Sequence, residues 1–225
     1  MKKLLNTLYV TTPDSYLGLD GETITIRRDD NLSMRLPLHN LENIVCLNYA
    51  GASPALMGAC AERNIGLCFL SSSGRFLARI TGRVYGNVLL RKKHYQLSEE
   101  QAASTQLACW FLTGKVYNSR KVVERALRDH AMVVDTEILA DTSEALRECL
   151  RSLTTCQSQA DLMGCEGASA RRYFGVMDAL ILQQKDDFYF AERSRRPPLD
   201  NFNALLSFAY TLLTNEATSA LEGVG

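Results

Sequence analysis

The chain has 225 residues, of which 46% are hydrophobic and 22% charged, a composition that excludes a disordered protein. Lysine plus arginine and aspartate plus glutamate both number 25, so no global charge indicates a nucleic-acid partner, and any basic surface must be local. The seven cysteines lie in apolar segments without a Cys-x-x-Cys pair, and we expect them to be reduced in a cytoplasmic protein. No apolar run is long enough to span a bilayer or to form a signal peptide.

From Leu8 to about Val88 the sequence alternates mostly with the period of two that is typical of strands. Asp20-Gly21 separates two such runs, 16–19 and 23–26, and this pattern predicts a β-hairpin. Further strands are predicted in three short apolar runs: 44–47, 67–70 and 76–80. One helix is predicted among them, because Ser53 suits an N-cap and Pro54 suits a first helical position. We therefore predict a β-rich, sandwich-like domain over residues 1–88.

The apolar spacing after this domain becomes helical. We expect a linker at residues 89–97, whose basic cluster, 91–94, is either a solvated connection or a phosphate contact. The capping pattern that begins at Ser98 predicts a long helix running towards His130. The fold class is therefore predicted to be α+β with two domains, the second of them all-helical over residues 98–225.

Three more helices are predicted in this second domain. Residues 135–153 form one, and Ser158-x-x-Asp161 is a capping pattern for another that extends to about Gln183. The last helix follows Pro197-Pro198 and carries an uncharged polar stripe beside its apolar face: Asn203, Ser207, Tyr210 and Thr214. This stripe either bonds a neighbouring functional group or packs against another helix with its polar tips satisfied.

Glu166 is the one acidic residue in an unusual setting, since the segment 164–170 around it consists mostly of glycine, alanine and serine. Helical spacing places Glu166 on one face with Tyr173 and Met177, which predicts a carboxylate directed towards the core. Such a carboxylate costs several kcal/mol unless a cation, a hydrogen bond or a proton stabilises it. The small neighbours would let a bulky partner such as a phosphate backbone approach. Alternatively, Glu166 is a helix-start residue stabilised by the macrodipole.

A dense arginine tract follows, with Arg193, Arg195 and Arg196 just before two prolines that hold the backbone extended. A carboxylate for Mg²⁺ or Mn²⁺ and arginines for phosphate are the residues that metal-assisted phosphodiester chemistry uses. Such an ion requires further ligands, and no second acid has a comparable setting. The histidines, at positions 39, 94 and 130, are far apart and are interpreted as surface or packing residues.

Two motifs in this order carry a family resemblance. Glu166-Gly167-Ala168-Ser169-Ala170-Arg171-Arg172 is followed by Arg195-Arg196-Pro197-Pro198 and by Asn203-Ala204-Leu205-Leu206-Ser207. Together they resemble the CRISPR-associated spacer-acquisition integrases, the "Cas-one" family, with features that lean towards the I-C subtype. The resemblance covers all 225 residues and includes the β-rich start and helical remainder.

The resemblance implies a metal-dependent DNA endonuclease and integrase that inserts foreign DNA into the CRISPR array. It implies a homodimer formed through the β-domain and a small ferredoxin-like partner, the "Cas-two" protein. Glu166 corresponds to the family's glutamate ligand for Mg²⁺ or Mn²⁺. DNA contact is assigned to six residues: Arg171, Arg172, Arg193, Arg195, Arg196 and Asn203.

The family's other two metal ligands, a histidine and an aspartate, are expected beyond residue 225. We therefore expect these 225 residues alone to bind metal weakly and to lack catalytic activity. The alternative function is a non-catalytic, dimeric DNA-binding fragment, and a third hypothesis is a helical scaffold without a nucleic-acid role.

Overall fold

The computed structural model describes residues 6–29, 31–83 and 86–224, together with the side chains up to residue 221. The chain divides into two compact units, one running to Val88 and including Phe208 onwards, the other spanning Leu89–Ser207. Residues from Phe208 were expected in the helical domain, but in the structure they belong to the strand-containing unit. No helix in these described ranges is both long and apolar enough to cross a membrane.

The strands of the first unit form two sheets. A mixed sheet has the order β1-β5-β6-β7, in which only β7 is antiparallel to its neighbour, and an antiparallel sheet has the order β2-β3-β4. Their bounds are β1 Thr7–Val10, β2 Tyr16–Asp20, β3 Thr23–Arg28, β4 Asn31–Pro37, β5 Asn43–Cys46, β6 Gly66–Leu70 and β7 Phe76–Ile80. Both sheets contribute to one apolar core, so the β-rich first domain is confirmed.

The predicted hairpin is present as β2 and β3, but its turn is one residue later than expected. Asp20 pairs with Thr23, so the two loop residues are Gly21 and Glu22. Gly21 has φ +58°, a left-handed conformation that glycine adopts without a Cβ clash. The helix α1, Pro54–Glu62, begins as predicted, because the Ser53 hydroxyl accepts a hydrogen bond from the Leu56 amide at 3.2 Å.

The mixed sheet is apolar on both faces. On β5, Ile44 and Cys46 contact the core that is shared with the second sheet and α1. The alternate residues Val45 and Leu47 lie on the opposite face and pack against Phe208 and Leu212 of the last helix. The two central strands, β5 and β6, are buried on both sides and therefore appear in the sequence as continuous apolar runs rather than as alternating ones.

The remaining helices are α2 Val88–Glu99, α3 Gln101–Asp129, α4 Thr136–Leu153, α5 Gln159–Gly175 and α6 Asn201–Val224. Helices α3, α4 and α5 surround a common apolar core. The predicted cap of α5 is present, because Ser158 and Asp161 form a reciprocal capping box. Helix α4 is capped by Asp135, which accepts two backbone N–H groups. The β-rich start and helical remainder confirm the α+β class.

Two predicted helix ends are wrong. The expected linker, 89–97, is helical because it contains neither glycine nor proline, and Ser98 lies in its last turn, where its hydroxyl donates to the Tyr95 carbonyl at 2.7 Å. The chain breaks instead at Glu100, which is extended. Helix α5 ends at Gly175 rather than near Gln183, in keeping with the low helix propensity of glycine.

Candidate functional site: the Glu166 face of helix α5

Glu166 lies in the middle of α5, at the rim of its buried face. The core side of the helix is fixed by Leu162 and Ser169, both buried, whereas the Glu166 side chain is 49% exposed. The expectation of a core-directed carboxylate is therefore wrong. The Glu166 side chain lies on the same side of the helix as Leu162, four residues earlier, but at the edge of the packing surface, where it reaches solvent.

Lys115 of α3 stabilises this carboxylate. Its Nζ donates to Glu166 Oε1 at 2.6 Å, and its side chain is 50% exposed. A pair of this exposure contributes about 0.2–1 kcal/mol, because water screens both charges. The sequence does not indicate this contact, since nothing in the pattern of α3 distinguishes Lys115 from other lysines as the partner of a residue 51 positions later.

An open apolar groove of about 500 Å³ adjoins the Lys115–Glu166 pair. Its apolar lining comes from α3 and α5: Ala108, Phe111, Leu112, Leu162 and Met163. Phe111 and Met163 are 79% and 72% exposed, so the groove is a surface depression rather than a closed cavity. Glu166 thus lies where a charged site meets an apolar surface.

The outer face of α5 is open beside Glu166. A Cβ atom placed at Gly164 or Gly167 would have no neighbouring atom within 4 Å. This openness agrees with the expectation that the small residues let a bulky partner approach the helix.

The segment before the arginine tract is held by aromatic contacts within the helical unit. The Phe190 ring lies 5.8 Å from the ring of Phe174 on α5 and 5.8 Å from that of Phe202 on α6. Asp178 accepts the Phe190 amide at 2.9 Å and the Lys185 ammonium at 2.9 Å. These bonds, the one from Lys185 first, hold the pKa of Asp178 below its usual value. The start of the tract is therefore fixed to both helices.

Asn203 is fully buried and has no exposed surface with which to contact DNA, so that assignment is wrong. Its Oδ1 accepts from Arg193 Nη1 at 2.7 Å and from the Ser194 amide at 3.1 Å. Its Nδ2 donates to the Glu192 carbonyl at 2.7 Å and to Asp200 Oδ2 at 2.6 Å. With these bonds Asn203 anchors the arginine tract to the start of α6.

The predicted arginines divide into two groups. Arg193 is half-buried and its guanidinium bonds Asn203 and the Ser194 carbonyl, so it holds the tract in place. The others are exposed: Arg171, Arg172, Arg195 and Arg196. In the part of the chain that the structure describes, no ion pair joins Glu166 to any of these arginines. DNA contact by the four exposed arginines stays a prediction.

The described side chains do not complete a metal site. Within residues 6–29, 31–83 and 86–221, no group of three or more histidine, cysteine, aspartate or glutamate residues lies close enough to hold an ion. The three histidines are exposed, as expected for surface residues. Glu166 is thus a single carboxylate with an ammonium partner, and the ligands present do not fit a divalent cation without additional donors.

Comparison with known sequences gives a consistent family. The model described as "CRISPR associated protein Cas1" matches residues 8–225. The chain is 44% identical to CRISPR-associated endonuclease Cas1 1 of Chlorobaculum tepidum and 47% identical to CRISPR-associated endonuclease Cas1 2 of Rhodospirillum rubrum. Each match includes 100% of this chain but 66% of the relative, so the chain spans about two thirds of the length of these relatives.

Solved structures show the same fold. A casposase bound to integration product has a TM-score of 0.75 at 18% identity, covering 98% of this chain and 62% of that one. A Cas1 protein from Thermotoga maritima has a TM-score of 0.69 at 19% identity, covering 96% of this chain and 64% of that one. With the match of the family model over nearly the whole sequence, the chain belongs to the CRISPR-associated Cas1 family.

Proposed function

We propose that this chain is part of a DNA integrase and endonuclease of CRISPR adaptation, which inserts foreign DNA fragments into the CRISPR array. The observation that carries the proposal is Glu166, the family-motif carboxylate, which is half-exposed on a helix whose outer surface is open at Gly164 and Gly167. Membership of the Cas1 family and the likeness to relatives named endonucleases support the same activity. A cytoplasmic location is proposed with it.

We further propose that Glu166 is one ligand of an Mg²⁺ or Mn²⁺ ion whose other ligands lie outside the described residues. A divalent ion at this carboxylate competes with the Lys115 ammonium, which lies 2.6 Å away. Because the ion pair is half-exposed, its loss costs about 1 kcal/mol or less. Lys115 therefore acts as a counter-ion that a more strongly bound cation replaces.

The exposed arginines are proposed to bind DNA phosphates. Arg195 and Arg196 lie in an extended tract whose backbone is held in place by Asn203 and Arg193. The backbone that carries the two exposed guanidinium groups is therefore fixed. Arg171 and Arg172 lie on α5, five and six residues beyond Glu166. Arginine suits this role because its planar group donates two parallel hydrogen bonds to a phosphate.

A homodimer and a small ferredoxin-like Cas2 partner are proposed for the whole protein. Support for the Cas2 partner comes from a neighbour of the same fold that was solved as a Cas6-RT-Cas1–Cas2 complex, and support for DNA comes from a casposase bound to integration product. The β-rich unit is the proposed dimerisation surface, by resemblance to the family.

A strand-transfer assay on a CRISPR-repeat duplex tests the proposal in the whole protein of which this chain is proposed to be part, with Mn²⁺ present and with the intact mass of the protein recorded. We expect Glu166→Gln to abolish joining, because the amide keeps the shape of the side chain but loses its charge. Glu148→Gln, a change at an exposed glutamate on α4, is the matched control and should leave joining unchanged. Joining that survives Glu166→Gln would refute the role of Glu166.

The alternative, a non-catalytic DNA-binding fragment, is favoured by the absence of a ligand cluster among the described residues. It predicts duplex binding that survives Glu166→Ala but weakens in an Arg195→Ala/Arg196→Ala variant. Loss of two phosphate contacts reduces the slope of log K against log salt by about 1.8. Arg125→Ala/Arg128→Ala, at exposed arginines of α3, is the control. Binding that is indifferent to the Arg195/Arg196 change would exclude this alternative.

A further inference from the structure

Four cysteines converge in the helical unit, and two of them are in direct contact. Cys109 and Cys149 donate to backbone carbonyls, of Leu153 and Cys165 respectively. The sulfur atoms of Cys156 and Cys165 lie 3.7 Å apart, and Cys156 also donates to the Ser152 carbonyl at 3.4 Å. Both side chains are half-buried. Among the described residues, Cys156 and Cys165 form a thiol–thiol contact within hydrogen-bond distance.

We propose that Cys156 and Cys165 are a modification site: they form an intramolecular disulfide when the protein meets a disulfide oxidant such as oxidised glutathione. A disulfide bond is about 2.05 Å long, so each sulfur needs to move by roughly 0.8 Å. Cys156 lies in the connection between α4 and α5, outside both helices, where a side-chain and backbone adjustment of this size does not break a helix.

The reaction balances with oxidised glutathione as the oxidant. One protein thiolate attacks a sulfur of oxidised glutathione, which forms a mixed disulfide and releases one glutathione thiolate. The second cysteine, as thiolate, attacks the protein sulfur of the mixed disulfide and releases the second glutathione. The two protein thiols lose two electrons and two protons in total, and one oxidised glutathione becomes two reduced molecules.

The position of the pair gives the modification a structural consequence. Cys165 immediately precedes Glu166 on α5, and Cys156 precedes the Ser158 cap of the same helix. The disulfide would tether the turn that carries Glu166 to the α4–α5 connection. It would therefore fix the start of α5 more rigidly than the capping box does alone.

Peptide mapping after native oxidation tests the proposal directly. The reduced protein is incubated with oxidised glutathione at mildly alkaline pH, because burial raises the pKa of Cys156 to about 11 and slows its reaction at neutral pH. Remaining thiols are then alkylated in denaturant and the protein is digested with trypsin. Both cysteines fall in one tryptic peptide, residues 152–171, because no lysine or arginine lies between positions 152 and 170.

We expect this peptide to lose about 2 Da and to carry no alkyl group after oxidation, while the Cys149 peptide, residues 148–151, remains alkylated. Cys149→Ser is the matched control and should give the same result. Cys165→Ser should retain glutathione on Cys156 instead. Two alkyl groups on peptide 152–171, or a glutathione retained on the native wild-type peptide, would overturn the proposal, whatever the outcome of the strand-transfer assay.

Discussion

The ammonium of Lys115 and the carboxylate of Glu166 meet at 2.6 Å between α3 and α5, at the end of an apolar groove. A double-mutant cycle with Lys115→Met and Glu166→Gln measures their coupling from urea unfolding. We expect a coupling of about 0.2–1 kcal/mol that falls as salt is added, because both side chains are half-exposed. A coupling above about 2 kcal/mol, insensitive to salt, would contradict a solvent-screened pair.

Asn203→Ala should lower the free energy of unfolding by roughly 2–4 kcal/mol. The change removes four side-chain hydrogen bonds at a fully buried position and leaves the Arg193 guanidinium without its Oδ1 acceptor. Asn201→Ala is the control, since Asn201 is exposed and its side chain donates one hydrogen bond, to the Asp187 carbonyl. Equal losses from the two variants would show that Asn203 is not an anchor.

Ser158→Ala should cost about 1 kcal/mol of stability, because it removes the hydroxyl that accepts the Asp161 amide in the α5 capping box. Ser152→Ala, which removes a hydroxyl that donates to the Glu148 carbonyl within α4, is the comparison. We expect that change to be within about 0.5 kcal/mol of wild type, since an exposed serine inside a helix adds little. Thermal unfolding of both variants measures the difference.

The stability of the protein should fall as pH rises above about 9. Burial, and then the neighbouring Cys68 and Cys60, raise the pKa of the Cys46 thiol from 9.0 to about 12. As pH rises, the unfolded chain therefore loses this proton before the folded protein does. The contribution of Cys46 to the free energy of unfolding is present below pH 9 and is lost between pH 9 and 12. Cys46 contributes a slope of at most about 1.4 kcal/mol per pH unit.

Urea unfolding at several pH values on either side of pH 9 tests this linkage. Cys46→Ala should flatten the dependence of the unfolding free energy on pH. Val45→Ala, at an adjacent buried position without a thiol, should lower stability but keep the slope. An unchanged slope in Cys46→Ala would show that the thiol does not titrate as described.

Two glycine-to-alanine substitutions should change the free energy of unfolding in opposite directions. Gly164→Ala on α5 places its methyl group in open space and should raise the free energy of unfolding by about 0.5–1 kcal/mol, because alanine favours the helix. Gly82→Ala places a Cβ against the Ala61 carbonyl, which belongs to the backbone and cannot rotate away. It should be destabilising by roughly 1–3 kcal/mol. A destabilising Gly164→Ala would mean that the outer face of α5 is not open.

Local signals in the sequence predicted most of the fold. Local patterns act through neighbouring residues and can be recognised without tertiary contacts, as in Ser53-Pro54, Ser158-x-x-Asp161 and the hairpin signal at Asp20-Gly21, which was correct to within one residue. Ser98 has an equally good capping pattern, but it does not cap a helix because it is itself a residue of α2. A short capping motif does not reveal that the residues before it are themselves helical.

The candidate site was predictable in its central residue and not in its partners. Glu166 stood out because its neighbours are small, and its motif carried the family resemblance. Lys115 approaches Glu166 from another helix. A contact between residues 51 positions apart produces no local pattern in the sequence from which it could be predicted. Asn203 was misassigned because an uncharged polar stripe on a helix is the same in sequence whether it meets a ligand or its own chain.

The mixed sheet has an implication for the order in which the chain folds. Its outer face is covered by Phe208 and Leu212, and the Thr7 hydroxyl of the first strand donates to Glu216, 209 positions later. During synthesis from the N-terminus, the apolar surface of Val45 and Leu47 must wait for residues made more than 150 positions afterwards. Closing so long a loop is slow. Until α6 has been made, the nascent strand domain exposes this apolar face, to which chaperones can bind.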